Sequence, residues 1–294
     1  MQVIKTSIQV GARRIDLSTP AVMGILNVTP DSFSDGGQLQ SGKGSGVFRV
    51  SIEKALRHAQ TMIAEGATFI DIGGESTRPG AVQIGDQEEL ERVMPVLEAL
   101  QREFDVVVSV DTSSPSVIRA AIDSGAGLIN DVRALSRPGA IEAVGQHEVA
   151  ICLMHMRGQP QTMQSDTRYD NVLDEVRSYL LDRIVACEQA GIARERLLID
   201  PGFGFGKTPE QNFHLLAHLQ TFQSLRLPIL IGVSRKSMLG AATGRDVSQR
   251  LPAGIAATMA ALMQGTAIVR THDVAATVDA VKIYSALKSA STIE

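Results

Sequence analysis

Eight short apolar runs, each leading into polar residues and each followed by a helical pattern, constrain this chain more than any other feature. They are Val22–Asn27, Thr68–Ile72, Val106–Asp111, Leu128–Asp131, Ala150–His155, Leu197–Asp200, Ile229–Val233 and Ala267–Arg270. Helical spacing fills Val47–Glu65, Gln87–Glu103, Pro115–Ser124, Asn171–Ala190, Pro209–Thr221, Ser248–Gln264 and Val274–Leu287, with Ser248 placed to cap its helix. Pro138 is placed to start a further short helix reaching about His147. Short apolar runs alternating with helices describe parallel strands buried on both faces. Eight repeats suit closure into a barrel, with a doubly wound open sheet as the competing arrangement. Ahead of the repeats, Val3 to Leu17 alternates apolar and polar about Val10-Gly11-Ala12, the pattern of a hairpin. The expected fold is α/β: a (β/α)8 TIM barrel with an N-terminal β-hairpin, one domain spanning all 294 residues.

The polar residues cluster where the runs end. Asn27, Asp71, Asp111, Asn130-Asp131, His155, Asp200, Ser234-Arg235-Lys236 and Arg270-Thr271-His272 lie at those ends or directly after them. In a parallel barrel all such ends share one face, the face on which barrel enzymes build their sites. Asp111, Asn130 and Asp200 bring carboxylates and an amide, which suit a flat heterocycle with an amino-pyrimidinone edge. A structural ion-pair network with Arg235 and Lys236 is the alternative for these carboxylates. The basic residues after the last two runs stand where barrels hold phosphate. Asn27 is either a turn residue before Thr29-Pro30 or an oxygen ligand for Mg2+, an ion that relies on waters and substrate phosphates.

Composition removes several function classes. The 28 basic and 32 acidic residues leave a net charge of −4, which offers nothing to nucleic acid or to an anionic membrane. No apolar run is long enough to span a bilayer and no signal-peptide core is present, so the cytoplasm is the expected compartment. Cys152 and Cys187 read as two buried reduced thiols.

Some motifs mislead. Pro201-Gly202-Phe203-Gly204-Phe205-Gly206-Lys207-Thr208 resembles a phosphate-binding P-loop but has Pro201 where that motif needs glycine. It reads instead as a tight strand-to-helix turn that lets backbone approach a ligand. His155, His214 and His218 lack metal-site partners at suitable spacing. Met154 packs at a strand end, where it can also touch a flat ligand.

Taken in order, Met23-Gly24-Ile25-Leu26-Asn27-Val28-Thr29-Pro30-Asp31-Ser32-Phe33-Ser34-Asp35-Gly36-Gly37 and Asp71-Ile72-Gly73-Gly74-Glu75-Ser76-Thr77-Arg78-Pro79-Gly80 resemble the two long signatures of the dihydropteroate synthase family. Ser109-Val110-Asp111-Thr112, Ile129-Asn130-Asp131, the stretch from Asp200 to Lys207, Ser234-Arg235-Lys236-Ser237 and Arg270-Thr271-His272-Asp273 are similar as well. The stretch Gln38–Gly46 fits no motif of that family. The resemblance implies joining of a pterin diphosphate to 4-aminobenzoate, with Mg2+ at Asn27. It implies that Asp111, Asn130, Asp200, Lys236 and Arg270 hold the pterin, and that Asn27, Arg78, Arg270 and His272 hold the diphosphate. Phe33, Thr77, Pro79 and Ser234 would form the 4-aminobenzoate site. Asp35 would order the closed state and act with Lys236 and Arg270 in catalysis. Arg270→Ala would then cost more in turnover than in folding, its partners being ligand groups. Sulfonamide sensitivity and a homodimer are implied too. A methyltetrahydrofolate-type methyltransferase, a non-catalytic pterin-binding barrel and a Schiff-base aldolase using Lys236 are the other readings. The first two should lack loop or diphosphate residues that are present here.

Overall fold

The computed structural model describes residues 7–11, 13–29, 50–76, 84–145, 147–159 and 162–291. Strands β1 (Ser7–Val10) and β2 (Arg13–Asp16) form the expected hairpin, paired Val10 to Arg13. Eight parallel strands follow: β3 (Ala21–Asn27), β4 (Phe69–Gly73), β5 (Val107–Asp111), β6 (Leu128–Asp131), β7 (Ala150–Met154), β8 (Leu197–Asp200), β9 (Leu230–Ile231) and β10 (Ile268–Thr271). Their order is β8-β7-β6-β5-β4-β3-β10-β9. A bridge between Ile199 and Ile229 closes the ring, supported by the amide of Ile199 donating to the carbonyl of Pro228 at 3.1 Å.

Helices α1 (Ile52–Ala64), α2 (Asp86–Glu103), α3 (Pro115–Asp123), α4 (Ala140–Val144), α5 (Val172–Gln189), α6 (Pro209–Ala217), α7 (Ser237–Thr243), α8 (Leu251–Met263) and α9 (Val274–Ala290) lie between or after the strands. Several starts are fixed by side chains. The Asn171 side-chain Oδ1 accepts from the amides of Leu173 and Asp174, and Thr208 and Gln211 form a reciprocal capping box. The expectation for Ser248 fails: it sits in a 3-10 turn (Val247–Gln249), and α8 opens at Leu251 behind Arg250, with no side-chain cap. Pro252 presets the first turn there and leaves one fewer amide to cap. Helix α7 was not marked by a periodic pattern at all.

Strand periodicity of two places the functional groups. Ile70, Ile72, Val108, Val110, Ile129, Ile151, Leu153 and Ile199 point outward into the layer beneath the helices. Their neighbours Phe69, Val107, Leu128, Cys152, Leu198, Leu230 and Ile268 fill the barrel interior together with Met23. Ile8, Val10 and Leu17 of the hairpin join that inner cluster and plug the N-terminal end. Ile8 is 1% exposed, so Ile8→Ala is expected to lower stability by about 2–4 kcal/mol in denaturant unfolding, with little change at the opposite mouth. The hairpin would be shown dispensable by an unaltered unfolding midpoint.

Candidate functional site at the carboxyl ends of the strands

Followed upward from that apolar floor, the inward positions turn polar: Asp71, Ser109, Asp111, Asn130, Asp200 and Arg270. Register brings them side by side, Asp71 with Ser109 and Asp111 with Asn130. They surround and underlie a cavity of about 480 Å3 at the C-terminal mouth. Asn27, Asp111, Asn130, Asp200, Ser234, Lys236, Arg270 and His272 line it, as do Met154, Met163, Val132 and Phe205. Polar groups and apolar side chains sharing one cavity suit a flat polar heterocycle.

The polar groups centre on Arg270. Its Nε donates to Asp71 Oδ2 at 2.6 Å and its Nη2 to Asp111 Oδ2 at 3.0 Å. Asp71 also accepts from Asn130 Nδ2 at 3.2 Å and from the Ser109 hydroxyl. The ion-pair network weighed against a ligand role therefore exists, with Arg270 as its hydrogen-bonded cation and Lys236 joined to it through the charges of Asp200 and Asp111. Arg235 instead pairs with Asp273 at 2.9 Å. The premise that Arg270 has mainly ligand partners fails for the same reason: two buried carboxylates hold it in the ligand-free protein.

Burial pushes Asp111 up, and the neighbouring Arg270 guanidinium works against it. Asp200 is pushed up to about 6, chiefly by burial, although Gly202 donates its amide to Oδ1 at 2.7 Å. Burial and then the Arg270 charge bring Lys236 down to about 8, with Nζ 4.1 Å from the centre of the Phe205 ring. Burial and the charge of Arg235 hold the His272 imidazole well below its ordinary value. It enters neutral, its Nδ1 3.1 Å from the Ser234 hydroxyl.

A model of the pterin binding enzyme family matches residues 23–272, nearly the whole of this barrel. The chain belongs to that family. It is 52% identical over 276 residues to a dihydropteroate synthase of Escherichia coli (strain K12), covering 94% of each chain. A Yersinia pestis dihydropteroate synthase solved with a sulfonamide drug complex superposes with a TM-score of 0.90 at 48% identity, covering 96% of this chain and 99% of that one. A Burkholderia cenocepacia dihydropteroate synthase complexed with 7,8-dihydropteroate superposes at 0.88 and 44% identity, with both chains fully covered.

Among the family residues expected from sequence, Asn27, Asp111, Asn130, Asp200, Ser234, Lys236, Arg270 and His272 come together on the cavity. Phe33, Asp35, Thr77, Arg78 and Pro79 lie outside the described residues, as does Gln38–Gly46. Asp131, although at a strand end, faces away. It binds the Ser113 hydroxyl and the amides of Arg133 and Leu135, both at 2.8 Å, and so shapes the turn after β6. The residues on or under the cavity without a role expected from sequence include Asp71, which holds Arg270; Phe205, under Lys236; and Ser237, on the cavity wall at the start of α7. Period-two parity along β4 marks Asp71 as inward-facing; Phe205 and Ser237 fall inside stretches that resemble family motifs, which give neither a specific role.

Proposed function

We infer that this chain is the enzyme that condenses 6-hydroxymethyl-7,8-dihydropterin diphosphate with 4-aminobenzoate, giving 7,8-dihydropteroate and diphosphate in folate biosynthesis. The observation that carries this is the convergence of Asp111, Asn130, Asp200, Lys236 and Arg270 on one cavity in a chain so similar to dihydropteroate synthases.

Asp111, Asn130 and Asp200 bind the amino-pyrimidinone edge of the pterin, whose N–H groups match carboxylate and amide acceptors. Arg270 lies against the ring and, with His272 and Arg78, meets the diphosphate. The 4-aminobenzoate lies beside Ser234, Phe33, Thr77 and Pro79, and sulfonamides compete for that place. The arylamine is itself the nucleophile. Its nitrogen forms the C–N bond to the pterin methylene as the C–O bond to diphosphate breaks, and an amine proton passes to solvent. An electron-rich pterin stabilises positive charge on that carbon, so the protein's share is position and electrostatics. Lys236 and Arg270 contribute positive charge, and Asp35 orders the closed state.

Asn27 suits a Mg2+ ion. It supplies a neutral oxygen at the mouth, and Gly73 leaves room for it, since a Cβ there would lie 3.1 Å from Asn27 Oδ1. No group of three or more His, Cys, Asp or Glu among the described residues forms a metal cage. An ion here would accordingly rely on substrate phosphate oxygens and water, as Mg2+ does. When bound it would neutralise charge on the departing diphosphate.

The reading extends to a homodimer, supported by exposed Met263, Ile283 and Leu287 on the neighbouring helices α8 and α9. It also extends to the cytoplasm, in keeping with Cys152 and Cys187 buried as free thiols. No helix of the described residues is long and apolar enough to cross a membrane.

The test is product formation from both substrates with Mg2+, followed chromatographically, with sulfamethoxazole titrated in. Dihydropteroate should form, and the sulfonamide should raise the KM for 4-aminobenzoate without lowering kcat. Product formation that a saturating sulfonamide leaves untouched would refute the assigned arylamine site.

A further inference from the structure

We propose that Lys207 is a positioning residue for the pterin end of the cavity, its ammonium tying the glycine-rich loop after β8 to His155 so that Asp200 and Phe205 are held in place. This rests on the synthase reading above. Lys207 is 2% exposed and belongs to the stretch that resembles a P-loop. Its surroundings invert P-loop geometry. In a P-loop the backbone amides converge on phosphate. Here backbone carbonyls converge on the lysine: Nζ donates to Gly202 O at 2.8 Å and to Phe205 O at 3.1 Å, and lies 2.9 Å from His155 Nδ1. The third contact is with the His155 imidazole, which burial and the Lys207 charge hold neutral and which packs edge-on against Tyr179 with ring centroids 5.0 Å apart.

The loop's amides point elsewhere. Gly202 N donates to Asp200, and Gly204 N donates to Asn212 Oδ1 at 2.7 Å. Gly202, Gly204 and Gly206 all have positive φ, and a Cβ on Gly202 would run into the His155 carbonyl. The chain therefore wraps closely around the ammonium, a conformation open to glycine. Gly204 and Phe205, the outer side of that wrap, line the cavity, and the Phe205 ring lies under Lys236. A buried ammonium held mainly by carbonyls and one imidazole is a costly way to stabilise a fold. Its consequence is a rigid wall at the pterin.

Lys207→Met removes these three contacts and keeps the bulk. The measurements are steady-state titration of both substrates, equilibrium binding of 6-hydroxymethylpterin by its fluorescence, and thermal melting without ligand. The expected result is pterin affinity and KM weakened about tenfold, kcat within about threefold, and a melting point close to that of the natural protein. Pterin affinity within twofold of the natural protein would overturn the proposal. So would a loss of affinity matched by general unfolding when His155→Phe, which removes the imidazole partner but keeps a ring against Tyr179, stays folded and binds pterin normally. If His155→Phe is folded and binds pterin about threefold more weakly, the proposal stands. Pterin binding is read without turnover, so failure of the natural protein to make product would count against the synthase reading alone.

Discussion

Arg270→Ala is expected to lose turnover by at least about 10²- to 10³-fold and to destabilise the ligand-free protein by about 3–5 kcal/mol. Both losses come from one geometry. The guanidinium faces the cavity, where a pterin diphosphate would meet it, yet its Nε and Nη2 are already committed to Asp71 and Asp111. Taking it away leaves Asp71 and Asp111 buried without the guanidinium that hydrogen-bonds both, and leaving a buried charge unpaired costs more than the pair itself contributes. The deficit should depend on pH. Asp111 already has a folded-state pKa raised by burial, and Arg270 is the charge that opposes the rise. In the variant that opposition is gone and the folded value climbs further above the unfolded value of about 3.9. A carboxyl shifted in that direction gives stability that is complete below the unfolded pKa and is lost as pH rises through the folded one. Because burial already holds the natural value at about 8, melting of the variant should fall further behind the natural protein at about pH 9.5 than at about pH 6. An inactive Arg270→Ala that melts like the natural protein at both pH values would show that the Asp71–Arg270–Asp111 network carries no structural load.

Asp200→Asn should separate the two effects. Asn keeps the shape and an oxygen for the Gly202 amide, but it replaces an acceptor-only carboxylate with a group that is half donor. Facing a pterin edge of neighbouring N–H donors, the new NH2 meets another donor. The expected loss is about 10²-fold or more in kcat/KM, most of it in pterin affinity. Stability should hold or rise. Burial lifts the folded pKa of Asp200 to about 6, so the carboxylate's favourable contribution is complete below its unfolded pKa and fades as pH rises through about 6. At pH 8 the natural protein carries a desolvated carboxylate that the variant lacks. A melting point that drops in step with activity would mean that Asp200 serves Lys236 and the loop rather than the ligand.

The two substitutions mark where sequence reading succeeds and stops. Asp111, Asn130 and Asp200 were legible because a strand's alternation and a barrel's single catalytic face fix where their side chains go. The same reasoning splits Asn130 from Asp131, sending one to the cavity and the other to a turn, once the register is known. What stayed hidden depends on contacts distant in sequence. Arg270 and Asp71 are 199 positions apart, and closure of the barrel is what brings them within bonding distance. Lys207 and His155 meet across adjacent loops with no periodic pattern to announce them. Helix α7 is only seven residues long and carries Gly240 in its interior, so propensity says little about it. The Ser248 cap failed because Pro252 serves at the helix start where a side-chain cap was expected.

The most direct measurement of the central claim is diphosphate release from 6-hydroxymethyl-7,8-dihydropterin diphosphate with Mg2+, run with and without 4-aminobenzoate. The account predicts release that depends on the arylamine and matches dihydropteroate formed, one for one. Release at the same rate without 4-aminobenzoate, or pterin binding with no release under either condition, would contradict it.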